Sequence, residues 1–211
     1  MTTSSTRTDF AVDISDRAPG FNLPQKVGRL LWAPMLVMAL MAFPLGFILA
    51  VVRASLIGSS GDPNTITALG HFGPAAMFIG FATVFAAIAF AIARILGAFR
   101  TGGGAVQEAS GRSVKTLKML PIAKAFLGLM VMAMMILVGS VIAHVAIGAA
   151  VLNGDAAAIA SAESSAIQLE AIRRVGVVLY LVSIALGLAA IAEVLRFQAI
   201  RLRELPGEAA R

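Results

Sequence analysis

Four uncharged apolar runs constrain this chain more than any other feature: Leu30 to Val52, Phe72 to Ala93, Ala125 to Gly154 and Val175 to Ala192. About 18 or more apolar residues in succession can cross the hydrocarbon core of a bilayer as a helix. A helix is favoured there because it satisfies every backbone polar group within the segment. Four crossings leave both ends on one side. The expected fold is an all-α integral membrane protein with four transmembrane helices in an antiparallel bundle, spanning about 30–52, 72–94, 121–152 and 175–197. A polar tail, 1–29, precedes the membrane domain, 30–205, and a short tail, 206–211, follows it.

Composition agrees with that reading. Charged residues make up 13% of the chain, against about 25% in soluble domains. Too little polar surface is available to coat a globule of this size. The first 29 residues lack the basic start and apolar stretch of a cleaved signal peptide, so the first run is expected to stay as a helix. Ala18-Pro19-Gly20 and Pro24 interrupt any long helix before it. The absence of cysteine removes disulfides, thiolate metal sites and cysteine nucleophiles. The isoelectric point of 10.8 resembles that of a nucleic-acid binder, but the bases sit at the ends of apolar runs. Membrane orientation explains them, and nucleic acid is not an expected partner.

The charge has a direction. Of the 17 Lys and Arg residues, 14 lie before the first run, between the second and third, or after the fourth; only Arg53, Arg173 and Arg174 lie in the other two connections. Lys and Arg concentrate on the cytoplasmic side of membrane helices. Both termini and the 94–124 connection are therefore expected in the cytoplasm, with Trp32 at the inner interface. Ala, Gly, Val and Arg usage points to a bacterial plasma (inner) membrane.

Helices two to four are expected to outrun the bilayer. Asp62-Pro63 reads as an N-cap followed by proline at the first helical position, and the pattern runs on to about Phe99. Ser113 reads as the cap of the third helix, with Pro121 bending it. The fourth is expected from Asp155 to Leu205, interrupted near Ser164-Ser165 and stopped by Pro206-Gly207. Its last part, 193–205, is amphipathic: Val194, Leu195, Phe197, Ile200 and Leu202 face away from Arg196, Arg201 and Arg203. That stretch suits interfacial anchoring or a cytosolic partner.

Small residues let membrane helices approach closely. The candidates are Gly73, Gly80 and Ala87; Gly139 with Ala143, and Ser140 with His144 and Gly148; Ser183 with Gly187, and Ala185 with Ala189 and Ala192. Phe78, Phe81, Phe85, Phe90, Met130, Met132, Met134 and Met135 are expected to face lipid or a neighbouring subunit.

Chemistry-bearing residues are few. His71 and His144 both fall toward the outer leaflet, where adjacent helices could pair them. Two neutral imidazoles are the usual axial ligands of a b-type haem, and a quinone contact is the other cofactor such a pair suits. Tyr180 is placed at a similar depth and is the expected hydrogen-bond partner of His144. Arg94, Lys124 and Glu193 share a depth at the cytoplasmic helix ends and are expected to form a structural charge cluster, with Arg196 as a local alternative for Glu193. No acidic residue lies deep in any run, which argues against a cation-coupled transporter. Thr101-Gly102-Gly103-Gly104-Ala105 lacks the lysine and hydroxyl residue of a phosphate-binding loop and reads as a linker.

The resulting expectation is a non-catalytic accessory or scaffold subunit of a larger membrane assembly, with no cofactor, acting through contacts with lipid, other membrane subunits or further copies of itself. The alternatives are a haem- or quinone-binding redox subunit using His71, His144 and Tyr180, and a small-solute transporter.

Overall fold

The computed structural model describes residues 14–16, 23–99 and 115–209. Four long helices carry almost all of the described chain: α1, Leu23–Gly58; α2, Pro63–Phe99; α3, Pro121–Leu152; and α4, Ala156–Ala209. Each contains a stretch long and apolar enough to cross a membrane. A two-stranded ribbon accompanies them. In it, β1 (Ile14–Asp16) pairs antiparallel with β2 (Lys115–Leu117), Ile14 opposite Leu117. Part of the expected solvated tail is thus tied to the connection between α2 and α3.

The helix ends follow local chemistry. Asp62 caps α2, its carboxylate accepting from the Thr65 amide and hydroxyl at 2.7 Å each. Asp155 caps α4 in the same way, accepting from the amides of Ala157 and Ala158 at 2.9 and 3.1 Å. Each cap is preceded by a left-handed residue that closes the previous helix, Ser60 at φ 53° and Gly154 at φ 75°. Gly61 N–H then donates to Leu56 and Asp155 N–H to Ala150, the pattern that satisfies the last carbonyls of a helix. Glycine takes that conformation freely, whereas Ser60 holds it under strain.

Several boundaries differ from expectation. α1 starts seven residues before Leu30, because Pro24 sits in its first turn, where no intrahelical donor is needed. It is one residue shorter than α2, 36 against 37, so all four helices exceed a bilayer core and not just the last three. α3 starts at Pro121 itself, with Leu120 extended before it, so Pro121 opens this helix instead of bending it. Residues 115–117 are strand, not helix; Ser113 and the linker 101–105 lie outside the described residues. α4 runs unbroken through Ser164-Ser165 and past Pro206. The two serines are accommodated because Ser164 Oγ bonds back to the Ser161 carbonyl within the helix.

α2 is the central helix. Of its most apolar stretch, 61% is buried, against 17% for α1 and 28% for each of α3 and α4. α1 packs chiefly on α2. Phe43 lies over Gly80, Met77 over Gly46 and the Arg53 guanidinium over Gly70, while Gly28 meets the Phe90 carbonyl. On the other side, Phe72 fills the space over Gly148 of α3, and Ile92 and Phe126 together fill that over Gly187 of α4. The main core gathers Ala82, Ala86, Ala89, Phe90, Phe126, Leu137 and Tyr180.

The small-residue faces are used unequally. Gly73, Gly80 and Ala87 are buried, as are Ser140, His144 and Gly148, and Ser183 and Gly187. Gly139 instead points into open space, and Ala185, Ala189 and Ala192 are exposed. Phe78, Phe90 and Met130 are buried in the bundle, contrary to the expected outward face, whereas Phe81, Met132 and Met135 are exposed. The large residues on α2 turn inward because the small ones on its neighbours leave room for them.

Candidate functional site

The site is built from an end of every helix. α2 and α3 bring His71 and His144 together, Nδ1 to Nδ1 at 3.1 Å, with both side chains 2% exposed. The register that places them is set by Gly148, over which Phe72 lies; the residue before Phe72 then meets the one a helical turn before Gly148. Phe78 closes the other side of the pair, its ring edge against His144 with centroids 5.2 Å apart.

Charged groups surround this pair from α1 and α4. The Arg53 guanidinium rests on Gly70, next to His71, and donates from Nε to the Ile66 carbonyl at 3.2 Å. Arg173 lies over the face of Phe78, 4.3 Å from its centroid, a cation–π contact that holds the guanidinium near the membrane domain. Glu170 accepts from Arg173 and, at 3.2 Å, from Arg174. These charges were legible in the sequence: Arg53, Arg173 and Arg174 are the three bases outside the cytoplasm-assigned segments, and their rarity there was the signal.

Between the two rings one Nδ1 donates and the other accepts, and either tautomer satisfies the pair. His71 has the backbone of Ala162 as its second neighbour. The nitrogen of His144 that faces away from the pair is Nε2. That atom is buried without a partner, as is the Tyr180 hydroxyl among the described residues. A buried polar atom left unpaired costs about 1–3 kcal/mol. The unpartnered Nε2 can exchange a hydrogen bond with a ligand.

Comparison with protein-family models, with curated proteins and with solved structures returned no match. The site is therefore interpreted from its own geometry.

The two histidines expected as axial haem ligands stand in direct hydrogen-bond contact through Nδ1. One expectation is corrected. Tyr180 does not reach His144. It stacks on Phe85, 5.5 Å between centroids, and Phe85 lies 14 residues beyond His71 on α2, about 21 Å along the axis. The depth was misjudged because α4 begins at Ala156, not at the start of its apolar run.

The other expected cluster divides. Glu193 accepts from Arg196 at 3.2 Å, the local alternative. Arg94 lies over Trp32, 6.0 Å from the ring centroid, and Lys124 is exposed. Sequence reasoning missed the interhelical bonds that end on backbone carbonyls, among them that from Ser183 Oγ to the Phe126 carbonyl at 2.9 Å. Ser183 was placed on a packing face for its size, and its hydroxyl also ties α4 to α3.

Proposed function

We propose that this chain is a four-span inner-membrane protein acting as a non-catalytic accessory or scaffold subunit of a larger bacterial membrane assembly. In this reading the helices alternate in direction, with both termini and the 94–124 connection cytoplasmic. Along α1 and α2 the contacting residue numbers rise on one helix as they fall on the other, which supports that alternation. The observation that carries the accessory role is α1 itself. Its principal neighbour is α2, and Leu36, Val37, Leu40, Met41, Phe47 and Ile48 stay exposed along its outer side. A helix attached along one side leaves a second apolar side for neighbours in the membrane. Extraction in a mild detergent followed by native mass measurement is expected to give a complex with other subunits or copies. A free monomer under every gentle condition would overturn the reading.

A second reading is favoured by the unpartnered His144 Nε2: a small ligand site on the outer side. It takes a molecule with a hydrogen-bonding oxygen, such as a quinone or hydroquinone, bound through His144 with His71 positioning the ring. Quinone titration of the purified protein is expected to give saturable binding that His144→Ala abolishes. Equal binding by the variant would remove this reading.

A further inference from the structure

We propose that Phe78 is a gate over His144, latched shut by Arg173 and Glu170, and that a membrane-borne ligand reaches His144 by displacing it. The inference rests on the reading of His144 as a ligand site. His144 is 2% exposed and its Nε2 is unpartnered, so a ligand that takes that atom needs a neighbour to move. Several neighbours are fixed. His71 holds Nδ1. Ser140, a helical turn away on the same face, is buried and bonds back to the Ile136 carbonyl. Gly148, a turn in the other direction, is covered by Phe72. Phe78 is held differently. It is buried and meets His144 in an edge contact, but over its face lies the guanidinium of Arg173, whose side chain is 25% exposed. The order from surface to site is Arg173, Phe78, His144.

Charge placement makes the latch. Arg173 and Arg174 share the carboxylate of Glu170. Both arginines precede the apolar run that starts at Val175, yet Arg173 reaches Phe78. Phe78 lies six residues beyond Phe72, where the uncharged run of α2 starts, or about 9 Å along the axis. A charge at such a depth needs its partner, and salt screens a partly buried pair less than one in water. Arg173 therefore stays where Glu170 holds it, and its cation–π contact keeps the Phe78 ring in place. Glu170 and Arg173 are three residues apart on one helix, so the latch opens by side-chain motion alone. Withdrawal of Arg173 frees a face of the ring, and the ring leaves His144 by changing rotamer.

The test is the reactivity of His144 toward diethyl pyrocarbonate, a small neutral acylating reagent. It is measured on the full chain in detergent at neutral pH without quinone, and read at each residue by peptide mass mapping. In the unsubstituted protein His144 and Tyr180 are expected to react slowly. Phe78→Ala should raise the His144 rate about tenfold or more, and Glu170→Ala about threefold or more. Arg53→Gln, on the His71 side, should leave it unchanged. Tyr180 is buried in the main core, so its rate reports folding and should stay low throughout. If Phe78→Ala exposes Tyr180, Glu170→Ala decides, because Glu170 is partly exposed and outside the core. A His144 rate unchanged by Glu170→Ala, unchanged by Phe78→Ala in folded protein, or raised as much by Arg53→Gln would overturn the gate. Quinone titration separates the two readings. The expected reactivity pattern in a protein that binds no quinone ends the ligand reading and keeps the gate. Quinone binding with equal His144 reactivity in every variant keeps the ligand and ends the gate.

Discussion

At the residue scale, two polar side chains set local stability by different physics. Asp62 is a solvent-facing cap. The Thr65 hydroxyl, and then its amide, hold the Asp62 carboxyl below the usual aspartate value of 3.8. A carboxyl lowered on folding adds stability above its unfolded pKa, and that contribution is lost as pH falls through the folded value. Hydrogen-exchange protection of the Thr65 amide should be constant from about pH 5 to 8 after intrinsic-rate correction, and should fall below about pH 4. In Asp62→Ala it should be low throughout, and an unchanged profile would refute the cap. His71 and His144 are buried and hydrogen-bonded to each other through Nδ1. Replacing either with alanine is expected to cost about 1–3 kcal/mol. The double variant should cost less than the sum of the singles, by about 0.5 kcal/mol or more, read from unfolding in detergent. Strict additivity would mean that the pair is not coupled. The two histidines could be singled out from the sequence because they are the chain's whole complement. Which atom stays unpartnered could not, because that depends on how the helices close around His144 in the folded bundle.

At the element scale, close approach decides which glycines matter. A Cβ on Gly28 would come 2.6 Å from the Phe90 carbonyl oxygen, and backbone of a packed helix cannot move aside cheaply. Gly28→Ala is expected to destabilise by about 1–3 kcal/mol. Gly139 and Gly128 meet nothing within 4 Å, so alanine there should be neutral or stabilise by up to about 1 kcal/mol through helix propensity. Steric-trap or denaturant unfolding of the three variants checks the ordering. A Gly139→Ala variant as unstable as Gly28→Ala would show that the packing faces are wrongly assigned. Spacing by itself cannot separate these glycines. Gly139 with Ala143 and Ser140 with His144 are equally good small-residue patterns one residue apart, and only the direction of α2 from α3 selects the second. The caps were more legible: an aspartate followed by proline acts within one turn, and Asp62 caps α2 as its sequence indicated. Pro121 was ambiguous because the same residue can open a helix or bend one. The choice rests on the ribbon between β1 and β2, a pairing between residues about 100 positions apart.

At the scale of the whole molecule, the distribution of charge predicts the orientation. Reporter fusions at Arg211 and within 100–114 are expected to be active on the cytoplasmic side, and insertions between Ser59 and Gly61 or at Asn153 on the other. A C-terminal fusion active only outside the cytoplasm would reverse the assignment. The amphipathic end of α4 shows how packing changes the meaning of a surface. Val194 and Phe197 belong to the apolar band read as an anchoring or docking face, yet they are buried against Leu117. Leu195 and Ile200 remain exposed for either use.

Hydrophobic run length, capping residues and the sorting of Lys and Arg were enough for four membrane-length helices, their approximate limits and an expected orientation. These are local or additive properties: each run is apolar over a bilayer's thickness whatever its neighbours do. The roles of individual residues required the tertiary structure. It made α2 the central helix and α1 its flank, turned Phe78 and Phe90 inward, joined His71 to His144 and kept Tyr180 apart from them. The reason is geometric. A membrane helix carries apolar residues on every side, so periodicity no longer marks the buried face, and contact is chosen by which small residues meet which large ones across the helix pairs.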